Sequence, residues 1–507
     1  MKMRFIELAV VSDQVAATAK RGEKTALLAG VLRSMTPEEA TVAVGLLTGQ
    51  PRQGRTGVGW STLSKLDDGE AAEPSLAVLE IDRWLSDLAA ESGPGSAGRR
   101  RDLLEAVFSR ATAPERRLLW GVFSGELRQG ALDGVMIEAI GRGAGVPVDE
   151  VRRAHMFSGD LGATALQAFA GGVEALRTVT LVPGRAVGPM LASPADGVAE
   201  ALAETGAASV EWKLDGARVQ AHRRDGAVHL FTRNLNEITD RLPGVVSLVA
   251  GLAGGDVVLD GEVAGATDDG GPRRFQDTMG DFSAQAATGR GGGLAAYFFD
   301  ILHADGDDLV DQPLSARRGV LDEMVPPPFR LPSIVTADVA EAAAFMDDAV
   351  GRGLEGVMVK ALSSPYAAGR RGGSWRKVKP VHTFDLVVLA AEWGHGRRQG
   401  WLSNLHLGAR GDDGFVMVGK TFKGMTDELL SWQTDELQRI AIATGNEESR
   451  HVVHVRPEKV VEVAIDGVQR SPRYPGGVAL RFARIRRYRP DKSAADADRI
   501  EALQALL

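Results

Sequence analysis

Along the first third of the chain apolar residues recur at three- and four-residue spacing, as in Leu103, Leu104, Val107, Phe108, Leu118, Leu119 and Val122. That period puts them on one face of a helix, so residues 4 to about 172 predict a series of amphipathic helices with almost no strand signal. Two stretches, 49–59 and 91–98, gather Gly, Pro and small polar residues and read as connections between helices. Beyond about Val182 the period shortens to two. Runs at 209–215, 219–223 and 228–232 read as successive strands, with Asp225-Gly226 as the hairpin turn between the last two. Further strands are predicted at 257–260, 295–301 and 356–360, with a helix at 339–350. This mixed texture ends near Pro380. From Phe384 several short strands and one helix at about 426–444 follow, a content that suits a small barrel such as an OB-fold. The pattern predicts a multi-domain protein: an all-α domain at 1–175, an α+β domain at 183–380 and an all-β domain at 381–507.

Composition narrows the function classes. A chain of 507 residues with 44% hydrophobic content has enough apolar side chains for a core in each domain. The formal net charge of -8 excludes a globally basic nucleic-acid binder, so any surface for a polyanion must be local. With no cysteine there are no disulfides, thiolate zinc sites, iron-sulfur clusters or cysteine nucleophiles. The nine histidines show no HExxH or paired zinc spacing. Met1 to Ala9 carries only a short apolar patch broken by Glu7, and no later apolar run has the length a bilayer needs. A soluble, cytoplasmic protein without membrane contact is expected.

The segment richest in chemistry is Glu211-Trp212-Lys213-Leu214-Asp215-Gly216-Ala217-Arg218. A lysine at the end of a strand, followed by an Asp-Gly turn, holds an amine at the mouth of a sheet on a rigid support. Taken alone, the segment reads rather as a charged hairpin tip, and its partners change that reading. Five further elements follow it in order: Leu259-Asp260-Gly261-Glu262, Phe298-Phe299-Asp300-Ile301-Leu302, Glu355-Gly356-Val357-Met358-Val359-Lys360, Trp375-Arg376-Lys377-Val378-Lys379, and Arg481 to Lys492. The ordered set resembles the motifs of the covalent nucleotidyltransferases: DNA ligases, RNA ligases and mRNA capping enzymes. The run 184–192 is similar to that family's lead-in to the adenylation domain, and 385–389 with 393–398 to its lead-in to the OB-fold. In the helical part, 125–130 and 159–162 resemble the DNA-binding domain of the ring-shaped DNA ligases, which capping enzymes and most RNA ligases lack. A chain without cysteine also lacks the four-cysteine zinc module usual in NAD-dependent ligases. The chain is identified as resembling the ATP-dependent DNA ligases.

That resemblance implies a role for each matched residue. Lys213 would be the nucleophile that takes AMP from ATP, which requires a neutral amine, favoured by positive charge from Lys360, Lys377 and Lys379 and by partial burial. Glu211 would read the adenine edge and Phe299 would stack on the base. Arg218, Arg233 and Arg371 would hold ribose and phosphate oxygens, a use suited to a planar, permanently charged fork. Glu262 and Glu355 would fix the ribose and hold Mg²⁺, which prefers oxygen ligands. Lys377 and Lys379, alternating along a strand, would share a face as a phosphate clamp, and Arg484 and Lys492 would orient the pyrophosphate. The last motif departs from the family at Ala483, where proline is common, and at Ile485, where an aromatic is common. The implied partner is nicked double-stranded DNA met by a monomer, in DNA repair, replication or recombination. An RNA ligase or capping-type enzyme, or a catalytically idle DNA-end-binding protein, is the alternative.

Two charged segments bear on this reading. Gly414 to Thr421 fits the P-loop expression letter for letter. Its middle is itself a β run after an Asp-Gly turn, however, and residues 422–425 delay any helix, so no phosphate cradle is expected there. Lys420 and Lys423 are expected to meet DNA phosphates instead. Arg481 to Lys492 sets six basic residues against Asp491 and predicts a local positive patch in an acidic chain.

Overall fold

The computed structural model describes every residue except 1, 55, 65, 67, 68, 126, 128, 131, 132, 266–293, 368–370 and 443–450. The described chain divides into two compact units, Met1–Lys377 and Val378–Leu507. No helix among the described residues is long and apolar enough to cross a membrane.

The first unit opens with ten helices: α1 (Phe5–Ala17), α2 (Arg21–Arg33), α3 (Pro37–Thr48), α4 (Trp60–Leu63), α5 (Val78–Ala90), α6 (Ser96–Phe108), α7 (Ala113–Ser124), α8 (Asp133–Ala144), α9 (Val148–Ser158) and α10 (Leu161–Arg177). Local chemistry sets their ends. At α3, Thr36 Oγ1 accepts the Glu39 amide, the Glu39 carboxylate accepts the Thr36 amide, Pro37 presets the first turn, and Gly49 closes the helix at φ 71°. Around α7 the Glu115 carboxylate accepts both the Thr112 amide and the Thr112 hydroxyl at 2.8 Å, Pro114 stands in the first turn and Gly125 closes the helix at φ 70°. The apolar faces meet in one core around Phe5, Leu8, Leu28, Leu47 and Phe108.

Two five-stranded sheets follow. One runs in the order β1 (Leu191–Ala195), β10 (Arg371–Val378), β9 (Val357–Ala361), β2 (Ala208–Trp212), β8 (Ser333–Thr336). The other runs β4 (Ala227–Thr232), β3 (Ala217–Arg224), β5 (Val257–Gly265), β6 (Leu294–Ala304), β7 (Asp307–Asp308). Asp225 and Gly226 turn β3 into β4 at φ 50° and 81°, as the Asp-Gly signal predicts. The strand expected at 209–215 stops at Trp212, and those expected at 257–260 and 295–301 run on because β5 and β6 stay paired from Val257↔Ala304 to Gly265↔Leu294. The helix expected at 339–350 occupies Val339–Gly351.

The second unit is β-rich. Its main sheet runs β13 (Phe415–Thr421), β12 (Leu402–Arg410), β11 (His382–Trp393), β15 (Val460–Ile465), β18 (Arg484–Tyr488), with β14 (Val452–His454) also on β11 and a hairpin of β16 (Gly467–Arg470) and β17 (Val478–Arg481) beside it. Leu386, Leu405, Leu407, Val461 and Val463 build the core. Gly419 and Lys420 sit inside the β12–β13 ladder and the next helix begins only at Asp427, so the P-loop expression is a strand. That helix ends at Arg439, short of Thr444, which lies outside the described residues; a short helix, Ile500–Gln504, was not expected.

Candidate active site

Lys213 is placed by backbone first. β2 ends one residue earlier, yet the Lys213 amide donates to Gly356 C=O at 2.8 Å and its own carbonyl accepts from the Glu355 amide at 3.3 Å. This pairing sets the two side chains side by side, and Lys213 Nζ hydrogen-bonds to Glu355 Oε2. The nearest charged partner of Lys213 is therefore a carboxylate rather than one of the expected lysines.

The glycines of the motifs have a steric cause. A side chain on Gly216 would collide with the Val263 carbonyl and come within 2.9 Å of Glu262 Cγ, so only glycine lets the turn after Lys213 lie against β5. A side chain on Gly261 would meet Phe298 Cδ1 at 2.7 Å. Glu262 is thereby held close to Lys213 and Arg218. Burial pushes its carboxyl up to about 7, although both cations pull the other way.

Arg218 is locked below this carboxylate. Its Nε and Nη2 donate to Asp260 Oδ1 and Oδ2 at 3.0 and 2.6 Å, Nη1 to Met190 C=O at 2.6 Å, and Nη2 also to Tyr366 Oη at 3.2 Å. Burial opposes the guanidinium charge, but Asp260 outweighs it and holds Arg218 above its ordinary value. The Tyr366 hydroxyl in turn donates to Asp260 Oδ2 at 2.7 Å and accepts the Met190 amide at 3.1 Å. Burial raises that phenol well above its ordinary value.

Aromatic rings line the next layer. Phe299 has Lys360 Nζ at 4.0 Å and Arg218 Cζ at 5.6 Å from its ring centre, with Trp375 edge-on at 6.1 Å. Lys360 is paired with Glu211 at 2.5 Å, and burial pulls its ammonium down against the opposing pull of Glu211. The other Glu211 oxygen accepts Ser209 Oγ at 2.8 Å, with Arg318 at 3.5 Å. Period two along β2 and the Ser209↔Lys360 register put these groups on one face. Beneath them Arg317 and Asp300 pair at 2.7 and 3.0 Å.

Lys213, Glu355, Glu262, Arg218, Phe299, Lys360 and Glu211 thus form one connected group. Lys377 sits half-buried on β10. Arg233 is exposed on the turn after β4, and no contact joins it to the group among the described residues. The Arg371 side chain lies outside the described residues, as do positions 126 and 128 of the 125–130 run. The ladder ends at Val378, one residue short of Lys379, so alternation along a strand does not carry to Lys379.

Lys379, Arg484 and Lys492 belong to the second unit. Lys379 Nζ lies 3.5 Å from Asp466, Arg484 lies 3.9 Å from the same carboxylate, and Lys492 lies 2.5 Å from Asp385. Arg487 pairs with Glu462 and Arg489 with Asp385, Glu462 and Asp491. Four of the six basic residues of the run Arg481 to Lys492 thus face carboxylates from outside it, Asp385, Glu462 and Asp466, which offset part of its positive charge. Lys420, expected at DNA phosphates, lies 2.5 Å from Glu392, which also accepts His406 Nε2 at 2.8 Å and Asn404 Nδ2 at 2.7 Å. Against burial, those partners hold Glu392 down at about 2. Sequence reasoning assigned no task to Asp260, Asp300, Tyr366, Arg317 or Trp375. Asp260, Asp300 and Trp375 stand inside quoted motifs, the one signal that could have found them.

Three segments match described families: residues 62–141 the DNA ligase N terminus, 189–379 the ATP dependent DNA ligase domain and 398–492 the ATP dependent DNA ligase C terminal region. The chain is 54% identical to a probable DNA ligase of Saccharopolyspora erythraea over 97% of its own length and 96% of that protein's. It is 53% identical to a probable DNA ligase of Rhodococcus jostii over the whole of both chains. The solved structure named Pmar-Lig_PreS3, 18% identical, superposes with a TM-score of 0.59 over 95% of this chain and 99% of that one, which shows a shared fold.

Proposed function

The chain belongs to the ATP-dependent DNA ligases, and from that premise we propose that Lys213 is the residue that carries AMP, inside the group built around Glu355, Glu262, Arg218, Phe299, Lys360 and Glu211. The family joins DNA in three steps: an enzyme lysine displaces pyrophosphate from ATP, AMP passes from the lysine to a 5′-phosphate, and a 3′-hydroxyl displaces AMP.

The observation that carries the assignment is the backbone pairing of Lys213 with Glu355 and Gly356, which fixes one amine at the open end of β2. In the first step Lys213 Nζ loses a proton, attacks the α-phosphorus and forms the P–N bond as the bond to pyrophosphate breaks. Glu355 orients the amine beforehand, and the amine must leave that carboxylate to attack. Phe299 offers a ring face to the base, and Glu211 and Lys360 offer a fixed acceptor and donor to its edge. Arg218 has four of its hydrogen-bonding arrangements taken by Asp260, Met190 and Tyr366, so its contribution is a rigid positive surface rather than a mobile clamp.

The donor set suits Mg²⁺. Two carboxylates, Glu262 and Glu355, flank Lys213, and among the described residues no group of three or more His, Asp or Glu makes a ready metal cage. One or two carboxylates completed by substrate phosphates and water is the arrangement Mg²⁺ favours. When bound, the ion would neutralise phosphate charge beside the amine.

The β-rich second unit fits an OB-fold, and its Lys379, Arg484 and Lys492 serve the triphosphate of ATP. The helical region grips nicked duplex DNA, the protein works as a monomer, and its place is the cytoplasm. Incubation with ATP and Mg²⁺ should add the mass of one AMP to the protein, mapped to Lys213. Label mapped to another lysine would overturn the assignment. A nicked DNA duplex offered against RNA ends decides between DNA and RNA joining.

A further inference from the structure

Helix α9 buries Val151 and Ala154 in the helical core, yet the last two of its buried residues pack elsewhere. Met156 and Phe157 are 5% and 0% exposed, and they share a buried cluster with Val187, Met190, Tyr366 and Trp375 rather than with the helical core. Phe299 packs on the same cluster. Three further ties hold the helix there. The Gly188 amide donates to Met156 C=O at 2.8 Å. Arg153 pairs with Asp311 at 2.7 Å and lies over the Phe157 ring at 4.8 Å. Just past the helix, Leu235 Cδ1 lies 3.7 Å from where a side chain on Gly159 would begin. Leu235 itself has φ 62°, a left-handed conformation that the turn holds through its amide, which donates to Thr232 C=O at 2.9 Å.

We infer that Phe157 is a positioning residue for the first step, through which the helical region supports nucleotide handling as well as DNA binding. The inference rests on the reading of the Lys213 group as the adenylylation site. Tyr366 and Trp375 stand between Phe157 and that group: the Tyr366 hydroxyl fixes the Asp260–Arg218 pair, and Trp375 stands edge-on to both Tyr366 and Phe299. A phenyl ring in this cluster leaves the two aromatics no room to turn, since packed cores tolerate few voids. Removing it opens a cavity that the surroundings fill only partly. The rings then gain freedom, and Arg218 and Phe299 lose their fixed placement.

The test uses the full chain and needs no DNA for its main arm. Phe157→Ala, Phe157→Leu and Met156→Ala are compared with Phe108→Ala, a buried ring of the helical core. The rate of AMP labelling is followed against ATP concentration, and affinity for nicked DNA is measured separately. Phe157→Ala is expected to raise the ATP concentration for half-maximal labelling about tenfold, with DNA affinity little changed, and Phe157→Leu to restore most of it. Phe108→Ala is expected to weaken DNA binding and leave labelling near wild type. If Phe157→Ala does not fold, a raised requirement for ATP in Met156→Ala supports the inference, and an unchanged one overturns it. A labelling curve of folded Phe157→Ala that matches wild type, or shifts no more than in Phe108→Ala, also overturns it. Wild-type protein that takes no label at all would instead defeat the adenylylation reading, which keeps the two failures apart.

Discussion

In the first unit Arg317 and Asp300 pair with no side-chain exposure and Lys360 and Glu211 with 2% and 1%, whereas in the second Arg484 faces Asp466 with 39% exposed and Lys492 faces Asp385 with 32% exposed. The chemistry is the same, and the surroundings make the pairs behave differently. A buried pair whose partner is removed leaves an uncompensated charge, at a cost of about 3–5 kcal/mol, while an exposed pair is worth about 0–1 kcal/mol. The first set is fixed and preorganised. In the second the cations are about a third exposed or more, so an arriving polyphosphate can reach Arg484 and Lys492 from water. Buried pairs suit a pocket that holds AMP through all three steps. Exposed pairs suit contacts made with the β and γ phosphates in one step and released in the next.

The largest effect expected is at the nucleophile. Lys213→Ala should abolish AMP labelling, and Lys213→Arg should fail as well because a guanidinium stays protonated; autoradiography or intact mass after incubation with ATP reads both. Next, Asp260→Ala should strand Arg218 in a buried site and lower unfolding free energy by about 3–5 kcal/mol in urea titration, with labelling lost. Asp260→Asn, which keeps the shape, should recover part of the stability and little of the labelling. A stability loss below 1 kcal/mol for Asp260→Ala would erase the distinction drawn between the units.

Acid sharpens the same contrast. Burial pulls His222 from 6.5 to about 3, so it stays neutral in the fold, accepting the Gly184 amide at 3.1 Å. Its folded value is depressed, so the associated stability is whole above pH 6.5 and drains away as pH falls toward 3. By pH 5 the loss should be about 2 kcal/mol. His222→Gln should flatten this limb of the urea midpoint against pH. The smallest effect is expected at Asp466→Ala, which removes the carboxylate facing Lys379 and Arg484 and should change stability by less than about 1 kcal/mol.

Much of this architecture is legible in the sequence because the motif segments are themselves strand ends and turns. Asp225-Gly226 announces its hairpin, 339–350 its helix, and Lys213 its place at the end of β2. Partners are another matter. Lys213 meets Glu355 across 142 positions, Arg218 meets Asp260 across 42, and Tyr366 meets Asp260 across 106, separations at which no periodicity survives. For the same reason Arg481 to Lys492 reads as a positive patch, since Asp385, Glu462 and Asp466 come from distant parts of the chain. The helical pattern of Val148–Ser158 is plain, but that Met156 and Phe157 leave the helical core joined by Val151 and Ala154 is decided by β5, β6 and β10 far along the chain.

The contrast between fixed and exposed cations meets its most direct test in the double variant Arg484→Ala with Lys492→Ala. Two rates are measured on one preparation: AMP labelling from ATP, and sealing of a nick supplied already carrying AMP on its 5′-phosphate. Labelling should be lost if these two cations serve the leaving pyrophosphate as proposed, while sealing of the adenylylated nick should keep much of its wild-type rate. Equal loss of both activities in a variant that remains folded by circular dichroism would contradict the account and make Arg484 and Lys492 part of a DNA-binding or structural face.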